Sequence, residues 1–121
     1  MVKKIISYGN SSPQTIVTAP AHSVVSMAAC YVDTTFNGSV PSFILGDASD
    51  DNGFITDIGA QLGTTGYKNT DHDEWGNYLW HNAGSHPRWK FYEVETPVVA
   101  TFNFDSSTQG QLTVFVCMKM A

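Results

Sequence analysis

Charge is scarce in this chain. Only 14% of its 121 residues are Asp, Glu, Lys or Arg, against roughly one-quarter in ordinary soluble domains. Six basic residues face eleven acidic ones, for a net charge of −5. Lys3-Lys4 is the one adjacent basic pair, so no stripe exists to neutralise a phosphate backbone and nucleic acid is excluded as an expected partner. Long apolar runs are also missing: none approaches the ~20 residues that cross a bilayer, so no membrane is expected. The opening stretch MVKKIISYGN has a very short apolar run, where a secretory leader carries about 7–15 apolar residues. Folding in a cytoplasm is the expectation.

Cysteine is nearly absent. Cys30 and Cys117 both sit in apolar runs, where a thiol behaves as a small buried hydrophobe. Two reduced thiols are expected; a disulfide requires the two runs to be spatial neighbours. The asparagines of Asn10-Ser11-Ser12 and Asn37-Gly38-Ser39 match a glycosylation sequon, but with no leader expected both are read as turns.

What is present is apolar, β-branched and aromatic. With 42% hydrophobic and 12% aromatic residues the chain can offset its conformational entropy, and at this length it buries roughly two-thirds of its unfolded surface. A single domain over residues 1–121 is expected, with 1–12 as a possible extended N-terminal arm. Apolar residues recur with period two between Gly, Pro, Asn and Asp clusters, and helix signals are nearly absent. Strands are expected at Lys3 to Tyr8, Gln14 to Thr18, His22 to Phe36, Ser42 to Leu45, Arg88 to Val94, Val98 to Phe104 and Leu112 to Met120. A further short strand is expected near Tyr78 to His81. Asn37-Gly38 reads as a hairpin turn that returns Ser42 to Leu45 against the long strand. In that strand Val24, Ser26, Ala28, Cys30 and Val32 are expected on one face, opposite Val25, Met27, Ala29 and Tyr31. Residues 54–58 fit either a strand or a helical turn, and 63–87 form a long polar and aromatic loop. About eight short strands without crossover helices predict an all-β antiparallel β-sandwich, with a jelly roll as the expected form.

Catalytic signals are weak. The segment Asp47 to Gly53 offers hard oxygen ligands, but Asn52 and Ile58 stand where an EF-hand needs Gly and Glu, so an exposed Asx turn is the favoured reading. His72, His81 and His86 with Asp71, Asp73 and Glu74 lack the spacing that fixes a zinc site. No G-x-S-x-G elbow or phosphate loop occurs, and Glu93 and Glu95 share a strand face where a glycosidase needs carboxylates across a cleft. No enzyme, cofactor or metal is expected. Trp75, Tyr78 and Trp80, set among Gly and Asn, suit either sugar stacking, an interface, or a loop held down by its own aromatics; Trp89, in its strand, is expected to pack inward.

The segments Tyr31-Val32-Asp33-Thr34-Thr35-Phe36-Asn37-Gly38, Ser42-Phe43-Ile44-Leu45-Gly46-Asp47, Asp51-Asn52-Gly53-Phe54, Lys90-Phe91-Tyr92 and Thr108-Gln109-Gly110-Gln111-Leu112-Thr113-Val114-Phe115-Val116 follow one another in an order that resembles the capsid decoration, or cement, proteins of tailed bacteriophages. The resemblance covers most of the chain as a pattern of strands and turns. It implies a compact β domain that binds the outer capsid surface as a homodimer or homotrimer and bridges subunits of the major capsid protein. Under it Lys3, Lys4, Tyr67, Trp75, Tyr78 and Trp80 are candidate interface residues. The alternative is a carbohydrate- or receptor-binding module of a tail fibre with the tryptophans as platforms. A cupin-like enzyme is a third class, lacking its His and Glu set on the strands identified.

Overall fold

The computed structural model describes residues 1–68, 75–79 and 89–121. Among the described residues eight strands form two antiparallel sheets: β1 Val2–Ser7, β2 Gln14–Ala19, β3 Ser23–Thr34, β4 Ser42–Gly46, β5 Gly66–Lys68, β6 Lys90–Tyr92, β7 Thr96–Asn103 and β8 Gln111–Met120. The larger sheet has the order β1-β8-β3, with both β5 and β6 on the far edge of β3; the smaller has the order β2-β7-β4. Ile55 makes an isolated bridge to Leu45 of β4, and Trp75 bridges Ile55 in turn. A 3-10 turn, Gly59–Gln61, follows. Strands 1-8-3-6 in one sheet and 2-7-4 in the other, with Ile55 extending the second, give jelly-roll connectivity, as the alternating pattern predicted.

The core follows from that alternation. Leu112, Val114 and Val116 of β8, Val98, Ala100 and Phe102 of β7, and Phe43 and Leu45 of β4 face inward and are buried, because successive strand residues point to opposite faces. Phe36, Phe102 and Phe104 stack at one end, with centroids 4.3 Å apart for Phe36 and Phe104 and 4.8 Å for Phe102 and Phe104.

Several expectations are corrected. Val25 is buried with Ala28, Cys30 and Val32, while Ser26 is exposed. The register slips between Val25 and Met27: a bulge there inserts one residue and exchanges the two faces upstream of it. Asn37-Gly38 does not close a hairpin. β4 pairs with β7 in the opposite sheet, and the turn is held by a distant loop: the Gly38 amide donates to Ser107 Oγ at 2.8 Å and Asn37 Nδ2 to Thr108 Oγ1 at 2.9 Å. A Cβ at Gly38 would collide with the carbonyl oxygens of Phe104 and Asp105; the glycine serves close approach of two loops. Residues 2–7 are not a free arm, since β1 pairs along its length with β8 and Ile6 is fully buried. Tyr78 and Leu79 lie in a turn instead of a strand. Residues 54–58 resolve into the single bridge at Ile55, and β5 lies in the stretch read as loop. Cys30 and Cys117 are both free. Their strands are neighbours, but Cys30 pairs with Val114 on the core side and Cys117 pairs with Met27 on the outer side.

Candidate interaction surface

Two features stand out where sequence reading placed interface residues: a buried carboxylate that pins the aromatic segment, and the outer face of the larger sheet. Asp47, just after β4, is only 5% exposed. Its Oδ1 accepts the amides of Ser49 and Asp50, both at 3.0 Å, which is the Asx turn the sequence implied. The turn residues Ala48 and Ser49 are exposed, as expected, while the carboxylate that caps them is buried. Tyr78 Oη donates to the same oxygen at 2.9 Å and Tyr92 Oη to Oδ2 at 2.7 Å. Four donors converge on one carboxylate, as its burial requires. Lys90 Nζ lies 4.5 Å from the Tyr78 ring centroid and 5.5 Å from that of Tyr92, within the range of cation–π attraction. Burial, then the bond to Asp47, pushes both phenols well above the ordinary tyrosine value. The open depression beside Asp47, about 340 Å³ and lined by Ser49, Lys90, Glu93 and Thr96 among others, therefore meets a carboxylate already engaged by four donors.

The cluster fixes the aromatic segment from 75 to 79. Trp75 bridges Ile55 and packs against the core, the Gly76 amide donates to the Phe54 carbonyl at 3.1 Å, and the Tyr78 amide to that of Gly53 at 2.9 Å. Trp75 and Tyr78, both half-buried, are thus tied to the scaffold. Trp80, with His72, His81, His86, Asp71, Asp73 and Glu74, lies outside the described residues. Trp89 is 50% exposed, immediately before β6, so it does not pack inward as expected.

The lysine pair is split by strand alternation. Lys4 turns to the core side and its Nζ donates to the Thr15 carbonyl of β2 at 2.9 Å, joining the two sheets at their shared edge. Lys3 is exposed and pairs with Phe115 on the outside. The outer face of the larger sheet is apolar over most of its length. Cross-strand rows run Ile5–Thr113–Tyr31–Tyr67, Lys3–Phe115–Ala29, Cys117–Met27 and Lys119–Val24–Phe91. Tyr67 is 63% exposed and Ile5 58%. Tyr67 meets Tyr31 edge-on at 4.8 Å and Phe115 at 6.3 Å. The contribution of Ile5, Met27 and Phe115 to this surface was not anticipated. Its sequence signal was the large apolar side chains Ile5, Met27 and Phe115 at outward positions of their strands.

No protein-family model matches the chain, and no curated protein matches it in sequence. Among solved structures, a chain of the acidic stable capsid structure of Helicobacter pylori bacteriophage KHP30 matches it with a TM-score of 0.61 at 12% identity, covering 99% of this chain and 91% of that one. The two chains are therefore similar in length as well as in fold, and at that identity the likeness is one of fold.

Proposed function

We propose that this chain is a structural protein of a phage virion, a capsid decoration protein that binds the outer shell and bridges neighbouring subunits of the major capsid protein. The observation that carries the reading is the end-to-end fold likeness to a similarly sized chain of a phage capsid structure. Two physical features support it. The one strongly buried acid among the described residues, Asp47, is committed to hydrogen bonds that hold the scaffold, which favours a non-enzymatic role. The larger sheet offers a broad apolar outer face with Lys3 and Tyr67 on it, and such faces serve association.

The mechanism is mechanical. Each copy adds contact area across a junction between shell subunits, and repetition over a symmetric lattice sums weak contacts into a large resistance to disruption. Lys3 and Tyr67 are proposed to contact partner chains, whereas Lys4, Trp75 and Tyr78 shape the domain that presents them. The test is to add the purified chain to shells stripped of it. Saturable binding with a rise in the temperature of shell disruption is the expected result; no binding overturns the reading.

A further inference from the structure

The outer face of the larger sheet spans four strand columns, β1, β8, β3 and the β5/β6 edge. At ~4.8 Å per strand and ~3.3 Å per residue it measures roughly 20 by 30 Å. That footprint, polar positions included, is on the order of the ~800 Å² per partner that stable dimers bury. Its charges are placed unevenly. Lys119 pairs with Val24 at one end of the sheet. Asp33 lies near the other end of β3, exposed, and accepts a hydrogen bond from Thr113 Oγ1 at 2.9 Å. Between them the rows are Cys117–Met27, Lys3–Phe115–Ala29 and Ile5–Thr113–Tyr31–Tyr67, apolar but for Lys3 at the edge and Thr113.

We infer that this face docks onto the same face of a second copy, about a two-fold axis lying in the interface and running across the strands. Such an axis superposes β3 on β3 and reverses strand direction. Lys119 of each copy then falls over the end that holds Asp33 of the other, one strand spacing to the side, about 4.8 Å and within a lysine's reach. An axis along the strands stacks Lys119 on Lys119 and Asp33 on Asp33, which like-charge repulsion disfavours. The isologous arrangement makes each contact twice. Lys3, on the edge strand near the axis, stays at the rim, where water screens it from its mate. Glu93 lies past the end of β6, in the bend that follows it.

Sedimentation equilibrium of the full chain, from micromolar to roughly 100 µM, tests the inference without any capsid, so its failure is distinguishable from failure of the capsid reading. The wild type is expected to be a dimer. Lys119→Asp and Asp33→Lys each weaken it by about ten-fold or more, and the two together restore most of the affinity, because the reversed pair is again complementary. Met27→Lys, which places a charge mid-face, is expected to give monomers whose circular dichroism matches the wild type. As a readout that needs no variant, modification of Cys117 by a thiol reagent slows as protein concentration rises through the dimer range. A monomer at the highest concentration, a trimer, a dimer indifferent to Met27→Lys, or charge reversals that fail to rescue one another each overturn the proposal.

Discussion

Replacing Tyr92 by Phe isolates one bond of the Asp47 cluster. The Tyr92 ring is 4% exposed and its hydroxyl donates to Asp47 Oδ2 at 2.7 Å. The substitution leaves the ring in place and removes one donor from a buried carboxylate. A hydrogen bond to a charged group contributes about 1.5–3 kcal/mol, and a carboxylate oxygen stripped of its partner keeps its desolvation penalty. The expected loss is about 2 kcal/mol, or about 8 °C in Tm for a domain of this size. Tyr78→Phe should cost less, about 1 kcal/mol, because the half-buried Tyr78 site admits water and Oδ1 keeps the amides of Ser49 and Asp50. Urea unfolding of the three proteins measures this, with an unchanged m-value showing that stability alone has moved. A loss below about 0.5 kcal/mol for Tyr92→Phe, or a larger loss for Tyr78→Phe, refutes the view that Asp47 is a buried hub whose donors fix the fold.

Stability should also fall at alkaline pH. Tyrosines of the unfolded chain ionise near pH 10, while burial and Asp47 hold the protons on folded Tyr78 and Tyr92 to higher pH. Above pH ~10 the unfolded state binds fewer protons, so the contribution is full below that pH and is lost as pH rises toward the folded values. Urea titrations across this range should show a shallower decline in the Tyr78→Phe/Tyr92→Phe double variant; equal slopes contradict the assignment. Gly110 has φ +140°, and a Cβ there enters the Phe36 ring. Gly110→Ala is therefore expected to cost about 2 kcal/mol or more by thermal melting, through backbone strain and overpacking together. Ile6→Ala should cost about 3 kcal/mol if β1 is part of the folded sheet; a change within experimental error would mean the N-terminal residues behave as a free arm after all. Burial pushes the Cys30 thiol up, while Cys117 is only half-buried. Dilute native protein should react with one equivalent of thiol reagent, at Cys117, and with the second only on unfolding.

The sandwich was legible because β7 and β8 carry clean alternation: Val98, Ala100 and Phe102, then Leu112, Val114 and Val116, can form inward faces only as strands. β3 was read in the right place and with the right faces from Met27 onward, but with Val24 and Val25 exchanged, since nothing in Val24-Val25-Ser26-Met27 marks a bulge that arises from pairing with β8. Asn37-Gly38 carried sound turn chemistry but not its purpose. Its partners, Ser107 and Thr108, are about seventy residues away, and local propensity does not encode them. The same holds for Asp47, whose Asx turn was visible while its burial came from Tyr78 and Tyr92. For the candidate surface, Lys3 and Tyr67 were placed where a partner can reach them. Lys4, Trp75 and Tyr78 were drawn into the scaffold by β2, Ile55 and Asp47, contacts that only the folded chain creates.

The most direct test of the virion reading is quantitative mass spectrometry of purified particles from the source, scaled to the major shell protein. The account predicts this chain in a fixed ratio near that protein's own copy number, with matching density on the outer shell in electron cryomicroscopy. A handful of copies confined to the tail, or none in the particle, contradicts it.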